Sequence, residues 1–156
     1  MAQKLDKLDV KLLKMLSENA RKPYLEIARE TGVSGAAIHQ RMAKLQSLGI
    51  VKGTETIIDP ASIGYETTAY LGVLLRDPAR FDEIIYKIQQ IPEIVECHIT
   101  TGQYDLLLKV FAKNNEDLLN FIHTKLFGLN LGRTETIISF KEVFRRQLPV
   151  DIHSND

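Results

Sequence analysis

Residues 24–48 read YLEIARETGVSGAAIHQRMAKLQSL, and this stretch decides the fold of the N-terminal part of the chain. It contains two short helical patterns separated by the sequence Thr-Gly-Val-Ser. Gly32 suits a left-handed helix terminus, because it has no Cβ to clash there. Ser34 can accept a hydrogen bond from a free amide of the next helix, as its N-cap. Two helices joined by such a tight glycine turn are typical of a helix-turn-helix unit.

Helical spacing predicts which side of each helix is buried. Each helix carries apolar residues three or four positions apart, with charged and small residues between them. The predicted buried positions are Leu25, Ile27 and Ala28 in the first helix and Ile38, Met42, Leu45 and Leu48 in the second.

The other side of the second helix favours contact with DNA. The small residues of its first turn let the helix N-terminus approach base edges or a phosphate closely. Gln40 suits pairing with adenine, and His39 suits a guanine or a phosphate. Arg41 and Lys44 are better placed for the DNA backbone. The predicted DNA-contacting residues are Ser34, Gly35, Ala36, His39, Gln40, Arg41, Lys44 and Lys52.

The alternative for this unit is an ordinary pair of helices with a solvated polar face, and the charge distribution bears on that choice. The net charge of the 156 residues is zero. Residues 1–52 hold ten Lys and Arg against five Asp and Glu, whereas residues 53–156 hold ten against fifteen. A basic N-terminal third followed by an acidic remainder is typical of a DNA-binding domain joined to another domain. DNA binding is therefore the favoured interpretation.

The composition, with 44% apolar and 26% charged residues, indicates a soluble globular protein of one or two small domains. No apolar run approaches the ~18 residues that span a bilayer. The charged start MAQKLDKLDVKLLKML contains no signal-peptide core. The single Cys97 has no partner for an intramolecular disulfide, which agrees with a reducing compartment. We expect a cytoplasmic protein without a membrane segment.

Two further elements complete the predicted N-terminal domain. A first helix over residues 6–17 is capped by Asp6 or Asp9. The β-branched residues of 50–58 predict a short strand pair, which makes the domain a winged helix-turn-helix and places Lys52 near the DNA backbone.

From residue 65 the pattern alternates between strand and helix. Strands are predicted over 67–75, 94–101, 105–111 and 134–144. The resulting order is β-α-β-β-α-β, the ferredoxin-like plan, so the fold class is α+β. The predicted division is a winged helix-turn-helix domain over 1–58, a linker over 59–64, a ferredoxin-like effector-binding domain over 65–146 and a polar tail over 147–156.

The third and fourth strands of this domain carry apolar residues on both faces. Two helices cover only one face of a four-stranded antiparallel sheet, so the other face would expose a large apolar patch. We therefore predict a homodimer packed sheet against sheet. Such a dimer also serves DNA binding, because two recognition helices about one helical turn apart can read a palindrome.

Five short segments occur in a specific order and spacing: Leu8-Asp9-(x)2-Leu12-Leu13-(x)2-Leu16, Leu25-Glu26-Ile27-Ala28, Gly32-Val33-Ser34, Arg41-(x)3-Leu45-(x)2-Leu48-Gly49-Ile50 and Thr101-Gly102-Gln103-Tyr104-Asp105-Leu106. Together they resemble the leucine-responsive/asparagine-responsive (Lrp/AsnC, or feast/famine) transcriptional regulators. The resemblance covers nearly the whole chain. It implies a DNA-binding domain and a ferredoxin-like effector domain that dimerises, with octamers of four dimers as common assemblies.

The resemblance also implies that an amino acid or related metabolite binds near the 101–105 loop, at an interface between dimers. Gly102 lets backbone amides approach a carboxylate, Asp105 can pair with an α-ammonium group, and Tyr104 can wall the pocket. The alternative is a tight turn in which Asp105 caps its own backbone. The predicted effector residues are Thr101, Gly102, Gln103, Tyr104 and Asp105, with Thr134 and Thr136 as weaker candidates.

The leading hypothesis is a sequence-specific regulator whose assembly and DNA binding respond to an amino-acid effector. The second is an architectural DNA-binding protein without an effector. The third is a metabolic enzyme or a stand-alone small-molecule sensor on the ferredoxin-like domain. Enzyme chemistry has little support, because there is no phosphate-binding loop or metal-ligand spacing, and His98 and Cys97 point to opposite faces of one strand. We predict no catalytic residue, metal or cofactor.

Overall fold

The computed structural model describes residues 5–150. None of the helices in this range combines the length and apolar content needed to cross a membrane. The described residues form two compact units, one of residues 5–57 with 144–150 and one of residues 58–143. The elements in chain order are α1 (Lys7–Glu18), α2 (Tyr24–Thr31), α3 (Gly35–Ser47), β1 (Thr67–Val73), α4 (Phe81–Gln89), β2 (Ile94–Ile99), β3 (Leu106–Ala112), α5 (Asn115–Phe121) and β4 (Thr134–Ser139).

The start of α1 is defined by a reciprocal cap. The Asp6 carboxylate accepts a hydrogen bond from the backbone amide of Asp9 at 2.8 Å, and the Asp9 carboxylate accepts one from the amide of Asp6 at 3.1 Å. Two amides that the helix itself cannot satisfy are thereby paired. The predicted helix and its capping by an aspartate are confirmed.

The helix-turn-helix is also confirmed, together with the reasons given for its turn. Gly32 ends α2 in the left-handed region, with φ of 74°, and its amide donates to the carbonyl of Ala28. Ser34 caps α3, because its hydroxyl accepts a hydrogen bond from the amide of Ala37 at 3.1 Å. Pro23 stands at the N-cap of α2, where its fixed φ suits helix entry and no side-chain cap is present.

The first unit has a small core in which α1, α2 and α3 meet. Its fully buried members include Leu12, Ile27, Ile38 and Leu45. Burying each such side chain stabilises the fold by about 1.5–3 kcal/mol. Two predicted core positions are wrong. Leu48 lies at the C-terminus of α3 and is 40% exposed, and Leu25 in the first turn of α2 is 66% exposed.

The predicted strand pair over residues 50–58 is wrong. Within residues 5–150 this segment belongs to no strand. The amides of Ile50 and Val51 both donate to the carbonyl oxygen of Leu45, at 3.0 and 3.2 Å, and so complete the end of α3. Residues 52–57 then run as exposed irregular chain, and Glu55 pairs with Arg145 at 2.8 Å. The β-branched residues are present, but the described chain supplies no partner strand for them.

The second unit has the predicted β-α-β-β-α-β order and one antiparallel sheet in the order β2-β3-β1-β4. The two central strands, β1 and β3, pair from Val73 opposite Leu106 to Thr67 opposite Ala112. A one-residue irregularity at Val95 shifts the pairing of β2 with β3. The ferredoxin-like, α+β fold predicted from the sequence is confirmed.

One face of the sheet packs against the helices. The alternate residues of β1 and β3 that point to this face are buried, and α4 and α5 cover them with apolar side chains. The chain after α5 continues through a π turn and a 3-10 turn to residue 129, which adds Leu126 and Leu129 to the core. The core on the sheet is Ala69, Leu71, Val73, Leu106, Leu108, Val110 and Ala112.

We call the other face of the sheet the open face, formed by residues such as Tyr70, Leu107, Lys109, Phe111 and Ile137. Ile137 is 51% exposed, whereas Lys109 is only 7% exposed. The Lys109 ammonium lies 5.9 Å from the ring centre of Tyr70 and 5.6 Å from that of Phe111. The predicted apolar face therefore exists, but a lysine stem and its charge lie among the apolar groups.

Several predicted boundaries differ from the structure. β1 and β2 end two residues earlier than predicted, and β3 lies one residue further along the chain. β4 ends at Ser139 rather than at residue 144, and residues 140–149 belong to no helix or strand. Residues 59–64, predicted as a linker, belong to the second unit and contain a 3-10 turn, Ala61–Ile63. Residues 144–146 group with the first unit. Of the predicted polar tail, residues 151–156 lie outside the described residues.

Candidate nucleic-acid interface and effector site

The side of α3 opposite its buried stripe is exposed as the helical spacing predicted. The side chains of His39, Gln40 and Lys44 are all solvent-accessible, and so are Ser34 and Ala36 at the start of the helix, while Gly35 is half-buried. His39 makes an edge-to-face contact with the ring of Tyr24 at 4.7 Å between centroids. That contact leaves the imidazole at the surface but restrains its orientation.

Arg41 differs from the prediction. Its guanidinium is ion-paired with the Asp6 carboxylate and donates a 3.1 Å hydrogen bond to Asp9, whose side chain is buried. The amide of Asp9 and then Arg41 lower the pKa of Asp6, because both stabilise the ionised carboxylate. Arg41 therefore joins α3 to the start of α1 and is not the independent phosphate ligand that was predicted.

Lys52 is exposed, as expected for a contact with DNA, but it lies on irregular chain rather than on a wing. Its ammonium is bonded to no other group of the described residues. Lys44 is similar, because it is exposed in the last turns of α3 and its ammonium has no acidic partner within residues 5–150. These two lysines are the cations of the predicted set that remain available to a phosphate.

The 101–105 loop is a tight connection between β2 and β3. Gly102 adopts φ of 95°, which a residue with a side chain rarely tolerates. The hydroxyl of Thr100 donates to the carbonyl of Tyr104 at 2.7 Å, and the amide of Thr100 donates to the carbonyl of Asp105 at 3.0 Å. Thr101, Gly102 and Gln103 project into solvent at the tip.

Asp105 is used by the fold, but it does not cap its own turn as the alternative predicted, because its carboxylate bonds a backbone amide 30 residues earlier in the chain. Its Oδ2 accepts a hydrogen bond from the amide of Leu75 at 2.8 Å, and its own amide donates to the carbonyl of Val73 at 2.9 Å. The carboxylate thereby holds the chain that follows β1 against the start of β3. Its Oδ1 accepts no hydrogen bond within the described residues.

Tyr104 lies over the backbone of Gly72 on the open face. A Cβ at Gly72 would stand 2.6 Å from the Tyr104 ring, so the ring needs a glycine there. The Tyr104 hydroxyl donates to Glu135 Oε2 at 2.6 Å and accepts from the Gln103 amide at 3.0 Å. The hydrogen bond to Glu135 raises the pKa of Tyr104, because it stabilises the protonated phenol.

The structure brings Glu135 to this loop instead of the predicted Thr134 and Thr136. Strand β4 pairs Glu135 with Gly72, which lies on the open face, whereas Thr134 and Thr136 pair with the core residues Val73 and Leu71. Both threonines therefore point to the opposite face from Tyr104, and their assignment to the same pocket is wrong. Because side chains alternate along a strand, residues 134 and 136 lie on one face and residue 135 on the other. Only the register of β4 with β1 shows that residue 135 is on the face of Tyr104.

Two concavities of the second unit contain none of these loop residues. One of about 340 Å³ is lined mainly by apolar residues, including Ile63, Tyr65 and Phe111, and one of about 530 Å³ lies near Asn114 and Phe140. Within residues 5–150 no group of three or more His, Cys, Asp and Glu side chains is arranged to hold a metal ion. In β2, Cys97 pairs with Leu108 and His98 with Leu107, so they do point to opposite faces.

Comparison with solved structures places this fold among known regulators. Escherichia coli AsnC superposes with a TM-score of 0.87 at 28% identity, covering 94% of this chain and 99% of that one. A transcriptional regulator of Neisseria meningitidis in complex with L-Met superposes with a TM-score of 0.88 over 95% and 98% of the two chains. The latter is 24% identical and shows the fold alone.

Sequence comparison adds the family. The regulatory protein AsnC of Haemophilus influenzae is 36% identical over 145 residues, which cover 92% of this chain and 97% of that protein. The HTH-type transcriptional regulator Ptr1 of Methanocaldococcus jannaschii is 37% identical over 80% of this chain and 84% of that protein. The AsnC-type helix-turn-helix domain model matches residues 5–46, and the Lrp/AsnC ligand binding domain model matches residues 68–149. As the sequence predicted, the chain belongs to the Lrp/AsnC family of helix-turn-helix transcriptional regulators and is not an enzyme.

Proposed function

We propose that this chain is a cytoplasmic, sequence-specific regulator that binds double-stranded DNA through the exposed side of α3. It acts as a homodimer packed through the open face of the sheet, and dimers assemble further, up to an octamer. An amino acid or related metabolite bound near the 101–105 loop changes the assembly and with it the DNA affinity.

The exposed side of α3 is the observation that carries the DNA-binding part of the proposal. Its buried stripe holds the helix against α1 and α2, while Gln40, His39 and Lys44 remain solvent-accessible. In a helix-turn-helix, the N-terminal residues of the second helix contact base edges in the major groove. Gln40 then supplies the hydrogen-bonding pair for adenine, and Lys44 and Lys52 neutralise phosphates.

The open face supports the homodimer. Tyr70, Leu107 and Phe111 are only half-covered in the single chain, and Ile137 is half-exposed. Leaving such a face in water is unfavourable, and a second copy of the same sheet has the size to cover it. The Lys109 ammonium already faces Glu96 at 3.4 Å and Glu142 at 3.9 Å, so burial of the lysine would not leave its charge unpaired.

The effector part rests on the exposed tip of the loop and on the group of Gln103, Tyr104 and Glu135 beside it. These side chains supply an amide, a phenol and a carboxylate within hydrogen-bond distance of one another. A carboxylate and a phenol suit an ammonium group, and the amides at Gly102 suit a carboxylate. The match of residues 68–149 to the Lrp/AsnC ligand binding domain model also favours a small-molecule effector.

An architectural DNA-binding protein without an effector is the second candidate. It is favoured by the engagement of Asp105 with the amide of Leu75 and by the absence of the loop residues from both concavities described above. This candidate predicts DNA binding with a steep salt dependence and little sequence preference. It also predicts no response to amino acids.

A thermal-shift panel of the full-length protein against the twenty amino acids separates the two candidates. A ligand at ~100 times its Kd adds roughly 2.7 kcal/mol to the stability of the protein, and this raises Tm by several degrees. A hit is repeated with Tyr104→Phe and Glu135→Gln, which keep the size of each side chain. Loss of the shift in both variants supports the loop site. A flat panel together with unchanged DNA binding supports the architectural candidate.

A further inference from the structure

Leu25 is exposed in a place where an apolar side chain is unexpected. It lies in the first turn of α2 and is 66% exposed, although its near neighbours Ile27 and Ala28 are buried in the core. The contribution of Leu25 to the stability of the unit is therefore small. The helical pattern predicted it to be buried, and its exposure leaves an apolar side chain at the surface.

The leucine is placed against the first residue of α3. Its Cδ2 atom lies 3.3 Å from the position that a Cβ on Gly35 would occupy. The absence of a side chain at Gly35 gives the leucine room beside the helix N-terminus. The next residue, Ala36, is exposed and adds a methyl group to the same region. Leu25, a residue of α2, thus lies beside the N-terminal end of α3, which meets base edges in a helix-turn-helix complex.

The first two residues of α3, Gly35 and Ala36, carry no polar side chain, and the exposed His39 and Gln40 follow one turn later. The Ser34 hydroxyl already accepts a hydrogen bond from the amide of Ala37. Among base edges in the major groove, the apolar group is the C5-methyl of thymine. Phosphates and the other base edges offer an exposed leucine no comparable apolar contact.

We propose that Leu25 is a specificity-determining residue that contacts thymine methyl groups at the N-terminal end of α3. The proposal rests on the DNA binding proposed above and adds a base preference to it. Burial of a methyl group against the leucine favours a thymine over a base that differs from it only by lacking that methyl. Selectivity here comes from an apolar contact rather than from a hydrogen bond.

The test replaces thymine by deoxyuridine, which lacks the C5-methyl and keeps the same hydrogen-bonding groups. Binding sites are first selected from random duplexes with the full-length wild-type protein. Each enriched thymine is then replaced by dU, and Kd is measured by fluorescence anisotropy. We expect about fourfold weaker binding for each methyl that contacts Leu25. In Leu25→Ala the dT and dU duplexes should bind equally well.

Leu48→Ala is the matched control, because Leu48 is an exposed leucine at the other end of α3. It should keep the difference between dT and dU. The thermal midpoints of both variants check that the fold is unchanged. Equal binding of the two duplexes by the wild type, an unchanged ratio in Leu25→Ala, or a selected site without thymine overturns the role of Leu25 alone. A wild type that binds no duplex overturns the proposed DNA binding as well.

Discussion

The exposed side of α3 and the open face of the sheet are both accessible to solvent in the single chain, but they differ in chemistry. The side of α3 is formed by small and polar residues such as Gln40 and Lys44, which water solvates well. The open face is formed by aromatic and aliphatic residues around one nearly buried lysine. The first surface can remain exposed to water at little cost, whereas the apolar second surface is more stable when another surface buries it. The difference fits the proposed roles, in which the DNA contact can be released and the subunit contact persists.

The charged residues beside the two surfaces also have different roles. Arg41 lies at the margin of the first surface and is bound to Asp6 and Asp9, so it supports the helices rather than the ligand. Lys109 lies within the second surface, and its stem fills space between two rings. In both cases the sequence shows a cation without an evident partner, and the structure shows it engaged by residues of its own unit.

Ile137→Asp should have the largest effect, because it places a carboxylate on the open face. An uncompensated buried charge costs about 3 kcal/mol or more, so the dimer dissociation constant should rise at least about a hundredfold. Sedimentation equilibrium measures the shift from dimer to monomer. Leu119→Asp is the control, because Leu119 is 54% exposed on α5, away from the sheet, and compares with 51% for Ile137. A wild type that is monomeric at micromolar concentration would refute the persistent contact.

Asp9→Ala should destabilise the first unit. The change removes one half of the reciprocal cap and the hydrogen bond to Arg41, and we expect a loss of about 2 kcal/mol in the free energy of unfolding. Urea denaturation followed by circular dichroism measures the loss. Glu18→Ala, an exposed change in the last turn of the same helix, should leave stability nearly unchanged. Equal stability of the two variants would mean that the Asp9 cap and its hydrogen bond to Arg41 contribute little to the free energy of unfolding.

Lys44→Ala should weaken DNA binding and leave the fold intact. Loss of one phosphate contact lowers the affinity for all sequences alike and reduces the slope of log K against log salt by about 1. Anisotropy titrations at several salt concentrations give that slope. Lys113→Ala, an equal charge change in the second unit, should keep the wild-type slope. A lowered slope in both variants would mean that DNA affinity depends only on net charge. It would also mean that Lys44 on α3 makes no specific phosphate contact.

The smallest expected effect is the acid response of Asp6. The amide of Asp9 and the Arg41 guanidinium lower the pKa of Asp6 below the ordinary aspartate value of 3.8. The contribution of the ionised group is therefore complete above pH 3.8 and decreases as the pH falls through the lower pKa of the folded state. Asp6→Asn keeps a capping side chain without the charge. The difference in unfolding free energy between Asp6→Asn and the wild type should be constant from pH 5 to 7. Below pH 3.8 the difference should become smaller.

The sequence was sufficient for the features that depend on periodicity and local turn chemistry. The buried stripe of α3, the roles of Gly32 and Ser34, and the order of the sheet unit follow from the spacing of apolar residues and from one cap and one left-handed turn. These features are local in the chain, or repeat along it, so no distant contact is needed to predict them.

The errors arose where a distant partner decides the outcome. The β-branched residues 50–58 predicted a strand, but a strand requires a partner, and the amides of Ile50 and Val51 pair with Leu45 instead. Arg41 points as the helical wheel predicts, yet its partner Asp6 lies 35 residues earlier. Glu135 was missed because strand register determines the face on which each residue lies.

The shared carbonyl of Leu45 has a mechanical consequence. The amides of both Ile50 and Val51 donate hydrogen bonds to that one oxygen, and these bonds restrict backbone rotation where the chain leaves α3. A displacement of the chain at Lys52 should therefore move the last turn of α3 with it. If α3 contacts DNA as proposed, such a displacement would also turn the exposed side of the helix.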